Sequence, residues 1–307
     1  MLDCNSSLAR AKPPCSANGD RGGDADGDAG EGGSRSAEVT YELCGDGLSV
    51  DSENLRRPAC SVRLAVRNCL PATAIVYLLP HSRRRQRGRA GRLLPVSGAK
   101  LQLWVVRRPG SSAVIYFGGN AEPVASSAES LSAAAPDRTW VFVNYRGYAG
   151  STGVPSEAAL VADARAVFDW LKPNRADIAV IGRSLGSGVA VQLAVSRPVS
   201  RLLLVTPFDS IVSVGRDALP WLPVSWLLKD RFESETYAPR VSCPTRVLIA
   251  QQDEVVAPAH ARLLVKAFAA GVAEAIEVPG AGHNTMQLWP EYVEFIGRSV
   301  GDGSPRR

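Results

Sequence analysis

The chain contains the segment Ile181-Gly182-Arg183-Ser184-Leu185-Gly186-Ser187-Gly188, in which glycines stand two residues before and two residues after a serine. Residues 178–181 predict a buried strand before this serine, and residues 188–195 predict a helix after it. A serine in this context lies on a sharp, strained turn that lifts its hydroxyl clear of the sheet. Gly182 and Gly186 leave room for the turn because they carry no Cβ. The segment predicts Ser184 as a nucleophile, with the backbone N–H of Leu185 as an oxyanion donor.

The same glycines have two other interpretations. They could simply pack a strand against a helix, or they could form a dinucleotide site, because Gly182, Gly186 and Gly188 also spell G-x-x-x-G-x-G. The short-chain dehydrogenase form of that pattern belongs to a first βα unit and accompanies a Tyr-x-x-x-Lys pair. Here it follows about the fourth predicted strand, and no tyrosine has a lysine four residues later. A G-x-x-x-x-G-K-[ST] phosphate loop is also missing from the sequence. The nucleophile turn is therefore favoured.

Strand and helix patterns alternate through residues 96–302, which we predict to form one domain. Short apolar runs bounded by Gly, Pro or Asp predict buried strands at residues 101–107, 113–117, 140–144, 178–181, 202–205, 246–250 and 275–278. Apolar spacings of three and four predict helices at residues 156–172, 188–195, 259–269 and 291–299. This alternation predicts an α/β fold with a mostly parallel central sheet flanked by helices.

A serine nucleophile needs a base, and the chain has only three histidines to supply one. His81 adjoins an arginine cluster near the N-terminal part of the chain, and His260 begins a predicted helix, where a surface position is expected. His283 lies in a glycine-rich loop between the last predicted strand and the last helix. Such a loop can bring an imidazole over the serine, so His283 is the predicted base.

The acid that orients the histidine is predicted from chain order. Asp253 follows the strand at residues 246–250 and completes the order Ser184, Asp253, His283. The adjacent Glu254 is expected to face the other way. Asp209, after the preceding strand, is the alternative acid.

Two further segments are predicted to shape the site. Phe117-Gly118-Gly119-Asn120-Ala121 follows an early strand, and the backbone N–H of Asn120 is the candidate second oxyanion donor. Residues of about 208–240 are predicted to form a small cap before the acid-bearing strand. Trp221 and Trp226 in this cap could form the wall of an acyl pocket; the alternative is a helix packed on the core.

From about residue 96 to residue 300, the sequence resembles the α/β-hydrolase superfamily, and more narrowly its serine aminopeptidase-like branch of "alpha/beta hydrolase domain" proteins. The matching segments, besides the serine turn, are Asn144-Tyr145-Arg146-Gly147-Tyr148-Ala149-Gly150-Ser151, the helix after Pro155-Ser156-Glu157, Thr206-Pro207-Phe208-Asp209-Ser210, Gln252-Asp253-Glu254-Val255-Val256-Ala257-Pro258 and Gly282-His283-Asn284. The resemblance implies the α/β-hydrolase fold and a hydrolase of the esterase, lipase, thioesterase or peptidase type. One departure concerns the oxyanion loop, where the family's His-Gly is Gly118-Gly119.

Residues 1–95 differ in character from the domain. Residues 19–33 are rich in Gly, Asp and Ala, a composition that does not bury enough apolar surface to fold, so this segment is predicted to be disordered or irregular. Alternating aspartates there resemble a calcium loop, but Ala29 and Arg35 replace the glycine and glutamate that an EF-hand requires. Six arginines at residues 83–92 are interpreted as a solvated linker, with a polyanion-binding patch as the alternative.

Charge, cysteine spacing and hydrophobicity bear on whether the protein binds nucleic acid, binds a metal or enters a membrane. The net charge of +5 is concentrated in that arginine cluster, so no nucleic-acid surface is predicted. Five of the six cysteines lie in the first 69 residues without metal-ligand spacing, and we interpret them as reduced thiols. Neither a signal peptide nor an apolar stretch of about 18 residues is visible in the sequence. The expected compartment is cytoplasmic, with membrane association as the alternative if the true N-terminus differs.

Together these patterns predict a serine hydrolase that uses no metal and no organic cofactor and acts on a small-molecule acyl substrate. A carboxylic ester with an apolar acyl group is favoured over a thioester or an amide. The alternatives are an aminopeptidase and a non-catalytic protein of the same fold that binds a ligand or partner. The sequence gives no prediction of oligomeric state.

Overall fold

The computed structural model describes residues 91–301. His81, most of the arginine cluster and the predicted irregular segment up to residue 90 lie outside the described residues. The strands are β1 (Arg92–Val96), β2 (Ala99–Val106), β3 (Ser112–Phe117), β4 (Thr139–Val143), β5 (Asp177–Arg183), β6 (Arg201–Val205), β7 (Thr245–Ala250) and β8 (Ala273–Val278). The helices are α1 (Val124–Ala134), α2 (Glu157–Leu171), α3 (Leu185–Ser196), α4 (Ile211–Ala218), α5 (Val224–Leu227), α6 (Ser234–Tyr237), α7 (Pro258–Ala267) and α8 (Tyr292–Val300). Within the described residues, 3₁₀ turns occupy Lys172–Asn174, Ala238–Arg240 and Met286–Leu288.

The eight strands form one sheet in the order β1-β2-β4-β3-β5-β6-β7-β8. Strands β3 to β8 pair in parallel, whereas β2 pairs antiparallel with both β1 and β4. This arrangement confirms the predicted α/β fold with a mostly parallel sheet. Strand β1 was missed by the sequence patterns: it begins four residues before the predicted domain boundary and is an edge strand that tolerates Pro95.

Both faces of the central strands are buried. In β5, Ile178 and Val180 belong to one apolar cluster, while Ala179 and Ile181 belong to the other. The first cluster includes side chains of α2, α3 and α7, and the second includes side chains of α1 and α8. Burial on both faces explains why these strands are continuous apolar runs rather than alternating ones. The loops that carry the predicted polar site residues follow the carboxyl ends of β5, β7 and β8.

The cap consists of the short helices α4, α5 and α6 and their connections. Val212, Val224 and Leu228 form a small apolar cluster of their own in it. Its C-terminal part is fastened by Glu157 at the start of α2, whose Oε2 accepts the backbone N–H groups of Arg231 (2.8 Å) and Phe232 (2.9 Å). No helix within residues 91–301 combines the length and the apolar character required to cross a bilayer.

Candidate active site

Ser184 lies between β5 and α3 with backbone angles of φ 49° and ψ −118°. This positive φ is strained for a serine and is held by dense packing around the turn. A Cβ built on Gly186 would lie 2.1 Å from the carbonyl oxygen of Phe117, and one on Gly182 would lie 2.4 Å from the carbonyl oxygen of Gly186. The glycines are therefore required by close backbone approach, as the spacing predicts.

His283 and Asp253 lie beside this serine. The Nε2 of His283 is 2.9 Å from the Ser184 Oγ, and its Nδ1 is 2.8 Å from the Asp253 Oδ2. The other carboxylate oxygen, Oδ1, accepts the backbone N–H groups of Val255 (2.9 Å) and Val256 (2.7 Å). One oxygen of Asp253 thus fixes its own loop while the other faces the imidazole. This continuous chain of hydrogen bonds can draw a proton from the serine hydroxyl.

Asp253 and the alternative acid, Asp209, face different histidines in the structure. Asp209 is buried and its Oδ1 lies 2.8 Å from the Nδ1 of a different histidine, His260. The expectation that His260 lies at the surface is wrong: only 4% of it is exposed, and its Nε2 also lies 3.2 Å from an oxygen of Asp217. The N-terminal end of α7 is covered here by the cap, which sequence periodicity does not reveal.

Glu254 lies near His283 but does not face its imidazole. Its Oε2 accepts the backbone N–H of His283 at 3.2 Å, so the side chain turns back towards the histidine loop. It bonds the backbone rather than the imidazole, whose Nδ1 is occupied by Asp253. The carboxylate that lies against the imidazole Nδ1 in the structure is thus that of Asp253 and not that of Glu254.

Asn120 and Leu185 line the same cavity as Ser184. Leu185 is the first residue of α3, where backbone N–H groups point out of the helix towards the loop. The Oδ1 of Asn120 accepts a 2.6 Å hydrogen bond from the hydroxyl of Tyr148. Burial raises the pKa of Tyr148, so this tyrosine keeps its proton and donates. The sequence patterns gave Tyr148 no role, although it lies in one of the segments that carry the family resemblance.

An apolar cavity of about 290 Å³ opens beside the serine. Besides Asn120, Ser184 and Leu185, its lining consists of Phe208, Ile211, Val214, Gly215, Ala218, Leu219, Leu222, Val224, Leu227, Leu228, Val255 and Val256. Helices α4 and α5 thus supply much of its wall. Trp221 and Trp226 do not: they are 71% and 90% exposed and lie outside the lining. The cap thus forms part of the cavity wall, but the residues that line the cavity are aliphatic neighbours of the two tryptophans.

Comparisons with known proteins agree with this architecture. No protein-family model matches the chain. An uncharacterized protein of Mycobacterium tuberculosis is 43% identical over 149 residues, covering 47% of this chain and 53% of the relative. The alpha/beta hydrolase domain-containing protein aho-3 of Caenorhabditis elegans is 37% identical, covering 50% and 46%. The lysophosphatidylserine lipase ABHD12 of Mus musculus is 32% identical, covering 39% and 35%. The chain therefore matches about half the length of the first of these curated relatives.

Solved structures extend the comparison over the whole described domain. The esterase Pf2001 of Pyrococcus furiosus superposes with a TM-score of 0.57 at 20% identity, covering 69% of this chain and 94% of the esterase. At that identity the likeness concerns the fold. The protein therefore has the α/β-hydrolase fold, and its sequence is similar to alpha/beta hydrolase domain-containing proteins.

Proposed function

We propose that this protein is a serine hydrolase that cleaves carboxylic esters with an apolar acyl group. The observation that carries the proposal is the hydrogen-bonded series Ser184–His283–Asp253 at the edge of an apolar cavity. The names of the relatives add support, because they include a lipase and a structurally similar esterase. A lysophospholipid, the substrate class in the lipase's name, carries a single acyl chain, which is the kind of group that an aliphatic cavity accepts.

The reaction proceeds in two acyl-transfer steps. His283 takes the proton of the Ser184 hydroxyl as its oxygen attacks the ester carbonyl, and Asp253 stabilises the resulting imidazolium. The backbone N–H groups of Asn120 and Leu185 hold the negative oxygen. The imidazolium then protonates the departing alcohol, leaving the acyl group on Ser184. Water, deprotonated by the same histidine, releases the acid and restores the serine.

An aminopeptidase is less well supported. Such an enzyme needs a carboxylate close to the reacting carbonyl to bind the free amine of its substrate. Among the described residues, the cavity beside Ser184 is lined by no charged side chain. Because an ammonium group would lose its hydration there without an ionic partner, the cavity favours an uncharged chain.

The experiment that tests the function is reaction with a fluorophosphonate, followed by hydrolysis of p-nitrophenyl esters of rising chain length. Only an activated serine reacts with the probe, so labelling of the folded protein supports the hydrolase. No labelling would instead support a non-catalytic protein of the same fold. We expect kcat/KM to rise about fourfold per added methylene, from about 0.8 kcal/mol per buried CH₂, until the cavity is filled.

Substitutions in the cap wall should move this chain-length optimum. Val214→Phe fills part of the cavity and is expected to shift the optimum to shorter esters, whereas Leu222→Ala enlarges the cavity and should shift it to longer ones. The measurement is kcat/KM across the ester series. Trp226→Ala is the matched control, because this cap side chain lies outside the lining. An unchanged profile in both cavity variants would mean that the acyl group binds elsewhere.

A further inference from the structure

Beside the serine lies an ion pair that the reaction steps do not use. The Nη1 of Arg183 is 2.9 Å from the Oε2 of Glu122, and these side chains are only 14% and 10% exposed. Burial by itself would lower the pKa of Arg183, but the neighbouring Glu122 carboxylate raises it. The arginine directly precedes Ser184, while Glu122 lies in the loop between β3 and α1.

Glu122 binds the loop that carries the candidate oxyanion donor. Its Oε2 accepts the backbone N–H of Gly119 at 2.7 Å. Its Oε1 accepts the hydroxyls of Tyr116 (2.8 Å) and Ser127 (3.1 Å). The carboxylate is therefore fixed from β3 and from α1, and it holds the backbone immediately before Asn120.

Arg183 binds the loop that carries the base. Its Nη2 donates to the backbone carbonyl of His283 at 3.1 Å and lies 3.4 Å from the Oδ1 of Asn284. A guanidinium presents several donors in a rigid fork, so one side chain can hold both a carboxylate and a carbonyl in fixed relative positions. A lysine has no such fork.

The ion pair, the oxyanion loop and Ser184 lie close together. A Cβ built on Gly119 would be 3.5 Å from the Arg183 Nη1, from the Glu122 Oε2 and from the Ser184 Cβ. Yet neither Arg183 nor Glu122 lines the apolar cavity; both line a separate cavity of about 350 Å³. The two side chains therefore act on the proposed reacting groups through the two loops that they hold, while the backbone of Arg183 continues directly into Ser184.

We propose that Arg183 and Glu122 are positioning residues that set the distance between the oxyanion loop and the histidine loop. The proposal rests on the proposed function, since it assigns those loops their roles. It also explains how the chain accommodates Gly118-Gly119 in place of the family's His-Gly. The Glu122 carboxylate fixes the Gly119 amide, so the conformation of the loop is not left to two consecutive glycines.

The test uses Glu122→Gln and Arg183→Met in the full chain, alone and combined. We expect each to lower kcat about 10- to 100-fold, because displacement of the oxyanion donor or base acts on the transition state. KM should change little, since the acyl cavity is untouched. The double variant should be no worse than the worse single one, because both remove the same pair. Arg183→Lys, which keeps the charge without the fork, should restore activity only in part.

Asp169→Asn is the matched control, because it breaks an exposed carboxylate–arginine pair. Asp169 lies on α2, and its partner Arg197 directly follows α3. This substitution should leave kcat unchanged. The loop arrangement is read independently from hydrogen exchange of the Gly119 amide, which Glu122→Gln should accelerate. Wild-type kcat and wild-type exchange in the variants would overturn the proposal. If the wild-type protein does not label with fluorophosphonate, the proposed function is rejected. Accelerated exchange of the Gly119 amide in Glu122→Gln would then still support the role of the pair in holding the loops, whereas wild-type exchange in that variant would overturn it.

Discussion

Ser184→Ala is expected to abolish ester hydrolysis, with kcat lower by about 10⁴-fold or more. In the proposed reaction this hydroxyl forms the acyl-enzyme, and no other hydroxyl stands 2.9 Å from the His283 Nε2 in the described part of the chain. Fluorophosphonate labelling should disappear together with activity. The protein should keep its melting temperature within a few degrees, because the turn is held by glycine packing and backbone bonds rather than by the hydroxyl.

Ser130→Ala is a suitable comparison for this substitution. Its hydroxyl is exposed on α1 and bonds only a nearby carbonyl, that of Ser127. It should retain full activity and labelling. If the Ser184→Ala protein hydrolysed esters at the wild-type rate, the assignment of the nucleophile would be wrong.

Asp253→Asn is expected to lower kcat by about 10⁴-fold while the protein remains folded. An amide at this position can present its NH₂ to the histidine, which favours the tautomer whose proton lies on Nε2. The imidazole would then be unable to accept the proton of Ser184. Steady-state kinetics on the best p-nitrophenyl ester measures the loss, and circular dichroism verifies the fold.

Asp209→Asn discriminates between the two candidate acids. The Asp209 side chain is as buried as that of Asp253 and also faces a histidine, so each variant removes a buried carboxylate that pairs with an imidazole. We expect Asp209→Asn to lower the melting temperature, because His260 loses its partner, and to leave kcat close to that of the wild type. A loss of kcat in Asp209→Asn together with wild-type kcat in Asp253→Asn would show that the acid was assigned to the wrong strand.

The fold was predictable because its signals are local. Strands β3 to β7 are short apolar runs, and each of their ends lies within two residues of the predicted one. The turn at Ser184 has a fixed glycine spacing, and the residues that it brings together follow in a definite chain order. Edge strand β1 lacks these signals, since it is half exposed and contains a proline.

The details around the site depend on contacts that sequence periodicity does not encode. The burial of His260 requires the cap to fold over α7, and the exposure of Trp221 and Trp226 depends on how α4 and α5 turn. Glu122 was missed because nothing in its neighbours indicates a partner 61 residues away. Hydrophobicity left open whether Trp221 and Trp226 form the wall of a pocket or pack on the core, and in the structure most of the cavity lining is valine and leucine.

The two oxygens of Asp253 have a consequence for how this protein could evolve. One oxygen lies against the imidazole of His283, and the other holds the backbone amides of Val255 and Val256, which line the cavity that we propose to bind the acyl group. A substitution of either valine that changes substrate preference is therefore expected to change the position of Asp253, and with it the catalytic rate. Substitutions on α4, which makes no such bond with Asp253, are expected to change substrate preference while the rate is preserved.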